Sequence, residues 1–229
     1  GKALTLATTS GQHATLPADV VSKLSDFTIA SWVYLNTTQT WARVFDFGGK
    51  PGAYMFLTPR SGGGKTRFVL GTVHGYNDQV VEGPALPVGQ WVHVAVTLSD
   101  RVAILYVNGV EAGRNTGFFL QPFQLGETPK NFLGRSQFAA DPYLSGRIDD
   151  FRIYDYALSG AAVYNLLGNA NRGPVFTGEQ ITRLDATENA DYATIAQTLA
   201  IDAGDPDGNA LTFAKLDGPA WLSVAANGA

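Results

Sequence analysis

Apolar positions in the first part of the chain come in short runs, each closed by glycine, proline, asparagine or aspartate. "FTIASWVYL" (Phe27 to Leu35) carries aromatic and β-branched residues on both alternating faces, and "ARVFDFGG", "AYMFLTP", "TRFVLGT" and "QWVHVAVTL" follow in the same manner. Runs of this length and spacing predict an all-β, antiparallel β-sandwich. Trp32 and Trp91 alternate inside two of the strands and are expected in its core. In "RVAILYVNGVEAGR" an Asn-Gly pair, Asn108 and Gly109, separates two strand patterns. Such a pair favours the type I′ turn, which needs positive φ at both central residues, so a hairpin is predicted there. One short helix is predicted in "LSGAAVYNLLGNA". Ser159 can cap its free amides, Val163, Leu166 and Leu167 form an apolar stripe, and Gly168 can end it; the helix is expected against one end of the sandwich.

An apolar fraction of 45% in 229 residues supplies core material for one large or two modest domains. No apolar run approaches the roughly 20 residues that span a bilayer. The opening "GKALTLATTSG" lacks the pattern of a signal peptide, so the chain is expected to begin inside something longer. The absence of cysteine excludes disulfides, thiolate metal sites and cysteine nucleophiles. A net charge of −4 gives no reason to expect nucleic acid or an anionic membrane as partner. That charge is uneven: up to Gly173 there are 14 Lys+Arg against 12 Asp+Glu, and from Pro174 onward 2 against 8. The shift predicts a sandwich domain over 1–169, a linker over 170–174 and a second domain over 175–229. In the last, "TLAIDAGDPDGNALTFAKLDGPAWLSV" has strand-like pieces around an acidic turn, consistent with an immunoglobulin-like sandwich. Such a sandwich takes about 100 residues, so this one is expected to be incomplete.

Taken in order, "FTIASWVYL", "WARVFDFGG", "YMFLTP", "LPVGQWVHVAVTL", "LYVNGV" and "FLGRSQFAADPYLSGRIDDFRIYDYALS" resemble the laminin G-like, concanavalin A-like lectin/glucanase jelly rolls, in the form appended to secreted bacterial enzymes that degrade polysaccharides. The resemblance covers roughly Lys2 to Gly168. "DPDGNALTFAKLDGPAWLSVAANG" is similar to the immunoglobulin-like (cadherin-like) modules that follow in such enzymes. The resemblance implies a jelly roll with one short helix. It does not by itself decide function, since binding modules, adhesion domains and glucanases share this fold.

A glycosidase needs two carboxylates flanking the scissile bond, about 5 to 5.5 Å apart for retention or roughly 6.5 to 9.5 Å for inversion. Glucanases of the superfamily carry them as Glu-x-Asp-x-x-Glu on one strand, a spacing missing here. Asp149 and Asp150 are adjacent, so in a regular strand they point to opposite faces and cannot flank one bond. Asp149 would share its face with Phe151 and Ile153, which aims it inward, where it needs a cation, a basic side chain or amides. The resemblance implies a structural calcium where this strand meets the N-terminal one, with Asp149, Asp150, Thr9 and Gly11 as the candidate ligands. The alternative is that Asp149 or Asp150 pairs with Arg147, Arg152 or Arg135. His13, His74 and His93 show no metal-ligand spacing, and "SGGGK" lacks the spacing and helix of a phosphate loop.

Sugars stack their C–H faces on aromatic rings while planar polar groups read their hydroxyls. "TQTWARVFDF", "GTVHGYNDQ" and "GRSQFAADPY" have that composition, and from them the candidate binding residues are Trp41, Arg43, His74, Tyr76, Asn77, Gln137, Phe138, Asp141 and Tyr143. A structural duty is the competing reading: Trp41 packing at a strand end, and Arg135 with Asp141 tying down a corner. The expectation is a non-catalytic, monomeric carbohydrate-binding module that targets a larger secreted glycoside hydrolase or lyase to a polysaccharide, beside that protein's catalytic domain and without membrane insertion. The alternative is a structural spacer or protein-binding domain.

Overall fold

The computed structural model describes residues 3–7, 11–50, 52–72, 78–168, 175–176, 203–204, 211–215 and 225–226. The chain divides into two compact units, Gly1–Leu167 and Gly168–Ala229.

The first unit is two six-stranded sheets, all of whose neighbouring strands run antiparallel. The first sheet runs β1 (Leu4–Leu6), β12 (Gly146–Tyr154), β3 (Phe27–Leu35), β8 (Trp91–Ser99), β9 (Val102–Val107) and β10 (Val110–Asn115). The second runs β2 (Ala14–Thr15), β11 (Lys130–Leu133), β4 (Phe45–Lys50), β5 (Ala53–Thr58), β6 (Thr66–Gly71) and β7 (Gln79–Gly83). Strand alternation supplies the core: Ile29, Val33, Val92, Val94, Val96 and Leu105 from one sheet meet Phe45, Phe47, Met55, Leu57, Phe68 and Leu70 from the other. Aromatic contacts tie them together, Phe27 to Phe68 at 5.9 Å and Phe45 to Phe151 at 6.0 Å between ring centroids.

The Asn108–Gly109 hairpin forms as its sequence predicts, with φ of +50° and +75°. Helix α1 (Gly160–Asn165) is capped by Ser159, whose hydroxyl accepts the Ala162 N–H at 3.2 Å. It does not lie at an end of the sandwich as expected. Val163, with Leu158 and Leu166, packs on Ala30, Ala95 and Tyr106, which form one register row on the outer face of the first sheet. Small residues in that row let the helix approach, and Thr28 fastens its approach segment by donating to Tyr156 O and accepting from Leu158 N.

Two other expectations are corrected. Trp32 and Trp91 are not core residues: Val33 and Val92 take the inner positions, and the tryptophans alternate onto the outer face. Asp149 does not share a face with Phe151 and Ile153. β12 carries a bulge between Asp149 and Arg152, with Asp150 at φ +50°, so the alternation restarts there. Ile148 on one side of the bulge and Ile153 on the other both reach the core, while Asp149 pairs with Trp32 on the outer face.

In the second unit, β13 (Val175–Phe176) pairs antiparallel with β14 (Ala203–Gly204), and Phe213 N–H donates to Ala226 O at 3.0 Å. Most of the stretch expected to be immunoglobulin-like lies outside the described residues.

Candidate functional site

Asp46 stands between two core phenylalanines on β4, so alternation turns its carboxylate to the outer face of the second sheet. There its register neighbours are Phe132 and Phe56. It is nevertheless 0% exposed, because the segment between β11 and β12 folds across it. From that segment Gln137 donates twice, its side-chain amide to Oδ1 at 2.7 Å and its main-chain N–H to Oδ2 at 3.1 Å. Arg43, 2% exposed, adds its Nε–H to Oδ2 at 3.3 Å. The same guanidinium donates to Asp141 Oδ2 at 2.8 Å and to Trp41 O, and stacks 3.9 Å over the Phe56 ring. Ser136 Oγ lies 2.8 Å from Asp141 Oδ2 and 3.3 Å from Asp46 Oδ2, so its single proton can serve only one of them at a time. Burial pushes the Asp46 carboxyl up and draws the Arg43 guanidinium down, and the surrounding partners oppose both shifts.

The next row of the same face is Gly48, Tyr54 and Gly71, in register across β4, β5 and β6. Tyr54 Oη lies 2.9 and 3.0 Å from the two oxygens of Asp78. Burial and this carboxylate push the hydroxyl up to about 12, which keeps it a donor at ordinary pH. The Tyr54 ring meets Phe138 edge-on at 5.6 Å, and Phe138 is 46% exposed. Both glycines make room for these groups: a Cβ on Gly48 would stand 2.7 Å from the Gln137 amide nitrogen, and one on Gly71 2.4 Å from Asp78 Oδ1. Half-buried Trp41 has Arg43 and Arg67 each 5.7 Å from its ring. At the opposite margin Arg135 lies over Phe132 at 4.7 Å, and His13 Nδ1–H donates to Gly11 O at 3.0 Å, leaving Nε2 to accept from Arg135 at 3.3 Å.

The fold therefore gathers Trp41, Arg43, Gln137, Phe138, Asp141 and Tyr143 on one face, from segments far apart in sequence. His74, Tyr76 and Asn77 lie outside the described residues. Arg43 is too buried to read a ligand and serves to position the covering loop. Asp141 is tied to Arg43 rather than Arg135. Asp46, Tyr54, Phe56, Asp78 and Ser136 were missed by sequence reasoning. For Asp46 the signal was present in "FDF", where an acid alternates with two core phenylalanines.

The model of one family matches residues 8–164, most of the sandwich unit. The chain belongs to the concanavalin A-like lectin/glucanases superfamily. Domain 4 of AbnA, an extracellular GH43 arabinanase from Geobacillus stearothermophilus whose structure is in complex with arabinotriose, is 31% identical at a TM-score of 0.60, covering 72% of this chain and 76% of that one. The CBM40 domain of a Ruminococcus gnavus IT-sialidase, bound to α2,3-sialyllactose, shares the fold at 14% identity and a TM-score of 0.55, covering 68% and 96%. The NanB sialidase of Streptococcus pneumoniae does so at 17% identity and a TM-score of 0.59, covering 72% of this chain and 27% of that one. No curated protein matches.

A superfamily of lectins and glucanases leaves catalysis to be judged on the carboxylates. Asp46 and Asp141 share the Ser136 hydroxyl, but Asp46 is sealed from solvent and both are held by Arg43. A buried, fully donated carboxylate cannot reach a glycosidic oxygen or a water. Asp78 is bonded to Tyr54, and Glu82 is paired with Arg67, its register neighbour, and with Lys65. The calcium expectation fits the residues poorly. Asp149 Oδ1 accepts the Asp150 N–H at 2.8 Å, Asp150 Oδ1 is paired with Arg152 at 2.7 Å, and Gly11 faces the ring of Tyr143. Thr9 lies outside the described residues. Among the described residues no three His, Cys, Asp or Glu side chains gather as a metal site.

Proposed function

We propose that the sandwich is a non-catalytic carbohydrate-binding module with the outer face of the second sheet as its platform, tethering a larger extracellular polysaccharide-degrading enzyme to its substrate. The observation that carries this reading is the meeting of exposed Phe138 with Tyr54 and Asp78, seated over glycines that make room for them and for the Gln137 amide. It offers ring surface for sugar C–H groups beside a phenol, a carboxylate and the Gln137 amide. The likeness to a domain of an arabinanase supports the reading and makes arabinan the first polysaccharide to try. In this proposal the second unit is an immunoglobulin-like spacer and the partner is a catalytic glycoside hydrolase or lyase domain of the same protein. Affinity electrophoresis through arabinan and other polysaccharides is the test: retardation of the intact chain, weakened in Phe138→Ala with the melting temperature kept, is the expected result. Retardation unchanged in that variant would remove the face from the proposal.

A protein-binding spacer is the second reading. It is favoured by a cleft of about 310 Å3 lined by Leu98, Arg101, Phe118, Phe119 and Gln121, of which Phe119 is an exposed aromatic.

A further inference from the structure

The outer face of the first sheet carries aromatic residues that the binding reading above does not use. Helix α1 covers the row of Ala30, Ala95 and Tyr106 and lies against Gly109 of the hairpin turn. Two residues along, the strands bring Asp149, Trp32 and His93 into register across β12, β3 and β8, and two further Arg147, Tyr34 and Trp91. Strand spacing makes this grid roughly 10 Å by 7 Å. Trp91 is 37% exposed, its ring edge-on to Tyr34 at 5.7 Å, and the Arg147 guanidinium lies 4.5 Å over Tyr34. Trp32 meets His93 edge-on at 5.4 Å. His93 is 2% exposed, and its Nδ1 has no hydrogen-bond partner among the described residues.

We propose that this grid, centred on Trp91 and Trp32 and flanked by Arg147 and Asp149, is a second sugar-binding surface that takes a short neutral or uronic oligosaccharide. The proposal rests on the carbohydrate reading of the module. Its chemistry is that of a glycan site rather than of a protein interface: the block of rings on β3 and β8 is bordered along β12 by a guanidinium and a carboxylate, which place hydrogen-bonding groups beside the ring surface. Arg147 offers hydrogen-bond donors and Asp149 its Oδ2 for hydroxyls, while Trp91 offers ring surface. Two platforms on opposite faces of one sandwich would let a module bridge neighbouring polysaccharide chains and raise its avidity without tighter single sites.

Three of the four tryptophans report the two faces separately, because Trp41 lies in the turn that leads into β4 of the second sheet and Trp32 and Trp91 lie on β3 and β8 of the first. Indole N–H resonances of the 15N-labelled chain, titrated with arabinotriose, xylotriose, cellotriose and trigalacturonate at millimolar concentration, are expected to shift at Trp91 and Trp32 with at least one sugar. Trp91→Ala is expected to lower affinity for that sugar about fivefold or more at this face, with Trp41 shifts kept. Shifts confined to Trp41 would overturn the second surface and leave the first standing. Shifts confined to Trp91 and Trp32 would support the second surface and count against the first. No shift at Trp91 or Trp32 with any of the sugars would overturn the proposal, as would a Trp91→Ala variant that binds sugar like the parent.

Discussion

Arg43 and Asp141 stand 98 positions apart in the chain and 2.8 Å apart in the fold, joined through a guanidinium that solvent does not reach. The loop that presents Phe138 is thus held from beneath by charge. Removing Asp46 would leave both Gln137 donors and the Arg43 Nε–H buried without an acceptor, while Asp141 still pairs the guanidinium. Asp46→Ala is therefore expected to cost about 2–3 kcal/mol in urea unfolding, and Asp46→Asn, which keeps an acceptor for Gln137, distinctly less.

The two glycines beneath the platform should separate stability from binding. In Gly48→Ala the new methyl would stand 2.4 Å from the Ala53 carbonyl, which is backbone and cannot swing away, so a loss of about 1–3 kcal/mol is expected. In Gly71→Ala the closest atom is the Asp78 carboxylate, at the free end of a side chain. That variant should melt within a few degrees of the parent while losing polysaccharide retardation, because the Tyr54–Asp78 bond is displaced.

Stability should depend on pH through His93. Burial, helped by the positive charge of Arg152, lowers its pKa from 6.5 to about 4, although Asp150 pulls the other way. The unfolded chain then binds the proton more tightly than the folded one between these values. The contribution is complete above about pH 6.5 and is lost as pH falls toward 4, by up to about 3 kcal/mol. His93→Phe should flatten the difference in unfolding free energy across that window. A slope equal to the parent's would place the dependence on other groups.

A chelator should not matter if Asp149 and Asp150 are satisfied as described. Adding EDTA is expected to leave the melting midpoint unchanged, whereas a downward shift would restore calcium as a ligand of this region.

The sandwich, the hairpin and the cap of the helix were legible because each rests on local chemistry: alternation, an Asn-Gly pair, a serine before an apolar stripe. What failed depends on partners distant in sequence. Trp32 was assigned to the core because both faces of "FTIASWVYL" are apolar, and nothing in the run says that Val33 rather than Trp32 faces the second sheet. The bulge at Asp150 defeated simple alternation, although an aspartate is among the residues that tolerate positive φ. The segments around Trp41 and Phe138, which the fold brings to one face, could be singled out by composition. That Arg43 would vanish beneath one of them required the Asp46 it meets there, and composition cannot report a depth.

The order of the first sheet sets a schedule for synthesis. β12, the last strand of the sandwich, is inserted between β1 and β3, among the first to be made. Until Tyr154 has left the ribosome, β3 has one long edge open, and at typical translation speeds that lasts on the order of ten seconds. Nascent chains stopped before β12 should thus be aggregation-prone whatever their sugar affinity, and the domain can neither be shortened from its C-terminal end nor fold progressively as it emerges.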